Sequence, residues 1–318
     1  MFHRFDNFND TYNPLADPNL RAIFMKTRNK IQGEYFAQLM HTVFARMRDP
    51  SQDQLSTRLE PRLSIYGRSA QEWGQLAEWF VANRMLSCRP DGSTDDRVRW
   101  SIQIPRLYKV FASGERPAVK SFGELLRNIF TPLFEATIDP AKHPELHCLL
   151  KHVGYIDCVD DESVMDDLTL KEGANTPRSQ TTPLAGLHVH TDASRCVAGP
   201  TPPDDYSGST GNAKNPPYSY FIYHLYANLK VLNRLREAKG FNTLPLKPHA
   251  GEAGSRHHMA TAFLLADSVN HGIKLQENPT LQYLFYLAQI GLATCPISNH
   301  ALFMELDKSP IGGCAQPL

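Results

Sequence analysis

The sequence predicts an α/β protein in which short apolar strands alternate with amphipathic helices. Two observations carry this prediction. First, β-rich runs of strand length occur at Arg62–Tyr66, Arg99–Ile104, Tyr155–Val159, Thr243–Leu246, Asp267–Asn270 and Leu292–Cys295. Second, the stretches between them place apolar residues at helical spacing, and that alternation is the pattern of a parallel sheet covered on both faces.

The helices follow from their own residues. Gln71 to Asn83 sets Trp73, Leu76, Trp79 and Phe80 on one stripe, which predicts packing against the sheet. Ser219 to Lys239 does the same with Tyr220, Tyr223, Leu225, Tyr226, Leu229, Leu232 and Leu235, and Gly240 is placed to cap its end. A helix-like stretch runs from Arg256 to Ala266, and Pro279 stands in the first turn of Thr280 to Ile290, where a proline loses no useful donor. Residues 164–214 are rich in Thr, Pro, Gly, Asp and Ser, with too few large apolar residues to offset the entropy of ordering, so they read as a flexible insertion.

The chemistry-bearing residues concentrate near the end. Lys247-Pro248-His249-Ala250-Gly251-Glu252-Ala253-Gly254 is followed, one strand-helix unit later, by Asn270-His271-Gly272. The two imidazoles and the carboxyl are the equipment for adding an activated water to a ring carbon. His249 and Glu252 sit where an apolar run hands over to a helix, the edge at which strand-helix folds carry their sites. His271 ends the next apolar segment and is expected beside His249, while Gly251 and Gly254 are expected to let the backbone approach a ligand closely. A second motif, Leu187-His188-Val189-His190, has the period-two spacing of a ligand pair on one strand face, yet lies inside the insertion, whose composition reads as a solvated loop.

Further blocks in the same order carry a resemblance. They are Phe5-Asp6-Asn7-Phe8-Asn9-Asp10 with Tyr12-Asn13-Pro14, Arg62 to Arg68, Asn128-Ile129-Phe130, Val159-Asp160-Asp161-Glu162-Ser163, Pro217-Tyr218-Ser219-Tyr220, Leu281-Gln282-Tyr283-Leu284, and Pro296 to Asn299 with Leu302-Phe303. With them, the sequence resembles the AMP deaminase family of the adenosine deaminase superfamily over nearly its whole length, the insertion excepted. The resemblance implies a (β/α)8 TIM barrel of the metal-dependent hydrolase type, with residues 1–318 forming a single partial barrel domain in which about six of eight strands are present.

It also implies roles. His249 would bind zinc, Glu252 would donate a proton to the purine N1, and His271 would take a proton from the water attacking C6, giving IMP and ammonia from AMP. Asn7, Phe8, Asn9, Asp10, Thr11 and Tyr12, with Glu252, would line the substrate. Asn7 and Thr11 stand where the family carries lysines, which weakens the expected phosphate contacts and leaves AMP and related 6-aminopurines both open as substrates; Arg21 is the nearest cation to compensate. The resemblance further implies a homo-oligomer, tetrameric in the family.

In the superfamily a His-x-His pair on the first strand and an Asp after the eighth complete the zinc site. Neither is found at its place, so the sequence is expected to be truncated at both ends, to hold zinc weakly through His249 alone and to turn over AMP poorly. A sheet short of two strands is also expected to expose edges and apolar faces. The alternative expectation is a catalytically silent homologue that binds nucleotide or assembles with an active paralogue.

Composition excludes other classes. Thirty-three basic residues balance 33 acidic ones with no basic cluster, so nucleic acid is not an expected partner. Six cysteines lack CxxC spacing, and no signal-like or membrane-spanning run occurs, so a cytoplasmic protein without a membrane partner is expected.

Overall fold

The computed structural model describes residues 24–49, 58–85, 97–159, 161–162 and 215–295. In chain order these form α1 (Glu34–Arg48), β1 (Arg62–Ser64), α2 (Gln71–Ala82), β2 (Trp100–Pro105), α3 (Tyr108–Phe111), α4 (Phe122–Ile138), α5 (Pro144–His152), β3 (Val153–Val159), α6 (Tyr218–Ala238), β4 (His249–Ala250), α7 (Arg256–Leu265), β5 (Ser268–His271), a 3₁₀ turn (Ile273–Glu277), α8 (Pro279–Leu287) and β6 (Gly291–Ala293). The mixed α/β class is as expected. All strand pairing is parallel and falls into two three-stranded sheets, β1-β2-β3 and β4-β5-β6.

A single parallel bridge, Ile156 with Leu246, links the two sheets. The Ile156 amide donates to Pro245 O at 2.9 Å and the Lys247 amide to Ile156 O at 2.8 Å. This corrects the strand expected at Thr243–Leu246. Pro245 lies within the segment and Pro248 just after it, and neither has an amide proton, so a continuous ladder cannot form there. Pairing resumes only at His249–Ala250, which register against Asn270 and His271.

The core is built from aromatic side chains. Trp73, Phe80, Trp100, Phe122 and Phe130 are fully buried, and Trp100 meets Phe80 and Phe44 edge to face at 5.4 and 6.2 Å. The α2 stripe is buried as its spacing predicts, with Trp73 Nε1 donating to Ile129 O at 2.8 Å. Helix α6 closes with the Gly240 amide on Glu237 O and the Phe241 amide on Arg236 O, both 2.9 Å, and Gly240 at φ 71 is the left-handed residue just past the helix.

Four helices, α1, α3, α4 and α5, lie outside the elements predicted above. Helix α4 starts at Ser121, whose hydroxyl accepts the Glu124 amide at 3.1 Å. It buries Phe122, Leu125, Ile129, Phe130, Leu133, Phe134 and Ala136 at helical spacing, but Pro132 stands inside it, a residue that in sequence argues against a continuous helix.

Apolar surface does remain exposed on the last elements: Tyr283 at 60%, Tyr286 at 69% and Leu287 at 57% on α8, with Leu292 on β6. No helix among the described residues is long and apolar enough to cross a membrane.

Candidate active site

The polar centre of the molecule is a row of side chains running from strand to strand. Asp157 on β3 is fully buried. One of its oxygens faces His249 Nδ1 at 2.8 Å; the other accepts Gln103 Nε2 at 3.1 Å and lies 3.5 Å from Arg62 Nε. Parallel register produces this row, because Gln103 pairs with Asp157 across β2 and β3. Arg62 also donates through Nη2 to Asn270 Oδ1 at 3.0 Å, and Asn270 Nδ2 donates to Lys247 O at 2.9 Å. Side chains of β1, β2, β3, β4 and β5 thus converge on one place.

His249 and His271 stand side by side, as expected, their ring centroids 4.9 Å apart. Register puts Ala250 opposite His271, and the Gly272 amide donates to Ala250 O at 3.0 Å. His271 itself has φ 73, a left-handed conformation that costs a side-chain-bearing residue about 1 kcal/mol or more. Such conformations persist where surrounding structure enforces them, and they concentrate at functional sites.

Glu252 completes the group, its Oε1 3.5 Å from His271 Nε2. Burial pushes the Glu252 carboxyl up to about 7, with His249 opposing the shift and the negative charges of Glu162 and Asp161 adding to it. The carboxyl is therefore about half protonated near neutral pH, the range in which a carboxyl can serve as a general acid.

Gly251 and Gly254 correct the expectation that they admit a ligand. Both have φ 69; a Cβ at Gly251 would meet Met259 Sδ at 2.4 Å, and one at Gly254 would meet Glu162 O at 2.1 Å. Their close approaches are to this chain's own atoms. Glu162, singled out only as part of a block, is buried here and accepts the Gly251 amide at 2.8 Å and His258 Nδ1 at 3.1 Å. Tyr218, equally buried, stacks on His258 at 4.1 Å and donates its hydroxyl to His249 O at 2.8 Å. Burial drives the Tyr218 hydroxyl well above its usual range, so it stays a donor.

The metal can be tested against these donors. Engagement of His249 Nδ1 by Asp157 leaves Nε2 as the nitrogen that would face a metal, the carboxylate–histidine arrangement. Yet no group of three His, Cys, Asp or Glu side chains that could hold a metal occurs among the described residues. Catalytic zinc uses three protein ligands, so the described residues supply an incomplete set.

Several expected contributors lie outside the described residues. These are Asn7, Phe8, Asn9, Asp10, Thr11, Tyr12, Arg21 and the His188–His190 motif. Sequence reasoning did not identify Arg62, Gln103, Asp157 and Asn270 as parts of the site. Arg62, Gln103 and Asp157 lie inside predicted strands and Asn270 ends one, where polar residues facing inward were the available signal.

Comparison with known proteins identifies the family. The AMP deaminase family model matches residues 1–185 and 196–314. AMP deaminase 3 of Mus musculus is 44% identical over 310 residues, covering 98% of this chain and 35% of the relative. AMP deaminase of Dictyostelium discoideum is 43% identical over 309 residues, 97% of this chain and 33% of the relative. AMP deaminase 1 of Homo sapiens is 42% identical over 309 residues, 97% of this chain and 36% of the relative. The chain therefore spans about a third of the length of the curated relatives it matches.

Proposed function

The chain belongs to the AMP deaminase family, and from that premise we propose that it carries the proton-transfer groups of a site that hydrolyses AMP to IMP and ammonia. The observation that carries this reading is the Glu252 carboxyl, raised to about 7 and set 3.5 Å from His271 Nε2.

As water adds to C6, protonated Glu252 delivers its proton to N1 and keeps the ring from accumulating negative charge. His271 accepts the proton that the water gives up. The tetrahedral carbon then breaks its bond to the amino nitrogen, which leaves as ammonia with the proton returned by His271. The remaining hydroxyl proton restores the Glu252 carboxyl as the C6 carbonyl forms. Zinc is the metal this reading assigns; when bound, it makes water acidic enough to supply hydroxide near neutral pH. His249, held by Asp157, would be one of its ligands.

We read β1 to β6 as neighbouring strands of a (β/α)8 barrel, with the site at its strand ends. Arg62 supports this: four strand spacings of about 4.8 Å would separate β1 from β5 by about 19 Å in a flat sheet, beyond a side chain's reach. The contact from Arg62 to Asn270 requires the strands to curve around. Substrate contacts from Asn7 to Tyr12 and from Arg21, cytoplasmic action and assembly into a homo-oligomer belong to the same reading. The exposed tyrosines and leucines of α8 and β6 support association.

A second reading, a silent homologue that binds nucleotide or assembles with an active paralogue, is favoured by the incomplete donor set among the described residues. Ammonia release from AMP separates the two. In a protein that turns AMP over, Glu252→Gln and His271→Ala should each lower kcat by ~10²–10⁴-fold with folding intact by circular dichroism. Near-full activity in either variant sinks the assigned roles, and stoichiometric metal without any ammonia release favours the silent homologue.

A further inference from the structure

Glu162 is 3% exposed, although it belongs to no strand or helix and the proton transfers above do not use it. Burying a carboxylate is costly unless hydrogen bonds compensate, and here they come from one short stretch of chain. Oε2 accepts the Gly251 amide at 2.8 Å and His258 Nδ1 at 3.1 Å, and Oε1 takes a longer contact of 3.4 Å from the Glu252 amide. Its backbone is engaged as well. The chain at Gly254 passes so close to Glu162 O that a Cβ there would lie 2.1 Å from it.

A residue just past β3 therefore grips, through both carboxylate oxygens, the loop from which Glu252 projects, and its carbonyl packs against Gly254. His258 extends the grip, since its ring stacks on Tyr218, whose hydroxyl holds His249 O. We propose that Glu162 is a positioning residue that holds the Gly251–Gly254 loop against the end of β3, so that the Glu252 carboxyl stands against His271. That this serves proton delivery to a purine rests on the deamination reading; the grip on the loop does not. The Glu162 charge acts in the same direction as burial on Glu252, whose charged neighbours are His249, Glu162 and Asp161, with His271 in ion-pair range.

The test uses the 318-residue chain and needs no turnover. Amide hydrogen exchange at Gly251 and Glu252 is compared with that at Ile102 and Ile104 in β2, and the Glu252 carboxyl is titrated by carbon-13 NMR. Glu162→Gln keeps the size but removes the charge. Exchange at Gly251 should rise about tenfold or more, because a hydrogen bond to a charged acceptor is among the stronger kind. Exchange at Ile102 and Ile104 should stay unchanged, and the Glu252 midpoint should fall from about 7. Loss of the Glu162 charge lowers that midpoint by itself, so the local rise in exchange at Gly251 is the readout that reports the grip. Unchanged exchange at Gly251, an equal rise throughout the core, or an unmoved Glu252 midpoint each overturns the proposal.

Gly254→Ala provides an independent variant should Glu162→Gln fail to fold. It leaves the carboxylate in place but forces the loop off the Glu162 carbonyl, so the same local rise in exchange is expected; wild-type exchange there overturns the proposal. Full ammonia release by Glu252→Gln would sink the deamination reading and leave these outcomes standing.

Discussion

The β1-β2-β3 half pairs β2 with β3 over six register positions, whereas β4 meets β5 over two. The first half is sealed by Trp73, Phe80, Trp100 and Phe130, all fully buried, while α8 in the second half leaves Tyr283, Tyr286 and Leu287 more than half exposed. The groups proposed for the chemistry nonetheless all come from the sparsely paired half: His249 from β4, Glu252 from the loop after it, His271 from β5. Their orientation comes from the well-paired half, through Asp157 on β3 and Glu162 just beyond it. Long ladders and a dry aromatic core fix the orienting carboxylates, and short strands ending in turns free the reactive side chains to project. Rigid support and the proposed chemistry are thus divided between two stretches of chain, joined by one strand bridge and by these side-chain contacts.

The largest effect that could break this contrast is on stability. Trp100→Ala in the first half should cost about 3–5 kcal/mol, since it empties a site buried on all sides. Tyr286→Ala, 69% exposed, should stay within about 0.5 kcal/mol. Comparable shifts in the urea midpoints of the two variants would mean that the halves are equally packed.

Next in size is pH dependence, where the site and the helical layer carry opposite signs. Glu252 is raised by burial from 4.5 to about 7, so the folded chain binds more protons than the unfolded one between those values. That contribution is fully present below pH 4.5, and is lost as pH rises through about 7; its size is about 3 kcal/mol. His224 on α6, set among Phe122, Tyr220 and Tyr223, is lowered by burial from 6.5 to about 4. Its contribution is present above pH 6.5 and is lost as pH falls through about 4, again about 3 kcal/mol. Glu252→Gln should therefore flatten the decline on the neutral side, and His224→Phe the decline on the acid side. Urea midpoints measured from pH 4 to 8 check both, and a variant that changes the limb opposite to the one named refutes its assignment.

A smaller effect tests orientation across the two halves. Asp157→Asn keeps the shape but weakens the hold on His249 Nδ1, and loss of such an outer partner typically lowers metal affinity about 10–100-fold. Competition with a chelator measures it. Unchanged zinc affinity would mean that β3 does not orient the β4 imidazole.

The smallest effect lies away from both cores. Gly240 has φ 71 with open space around it, so Gly240→Ala meets no clash and should cost only the backbone strain, about 1 kcal/mol. A much larger loss in thermal denaturation would point to a packing role that the open surroundings do not explain.

The amphipathic α2 and α6, the strand at Tyr155–Val159 and the trio His249, Glu252 and His271 were legible in the residues alone. Each rests on local rules: helical spacing, β-rich runs, and a turn where a strand hands over to a helix. The strand boundaries around Pro245 and Pro248 were less so, because pairing depends on which amides a neighbour can use. What only the tertiary structure decided is the set of partners. Asp157 is 92 positions from His249, Glu162 is 89 from Gly251, and Arg62 is 208 from Asn270. No local pattern encodes such contacts. They exist because parallel register and the curvature of the strands bring polar side chains to one dry place, where each buried charge must find a partner. The same burial, which no spacing reveals, raises the Glu252 carboxyl to about 7, the range that the proposed acid role needs.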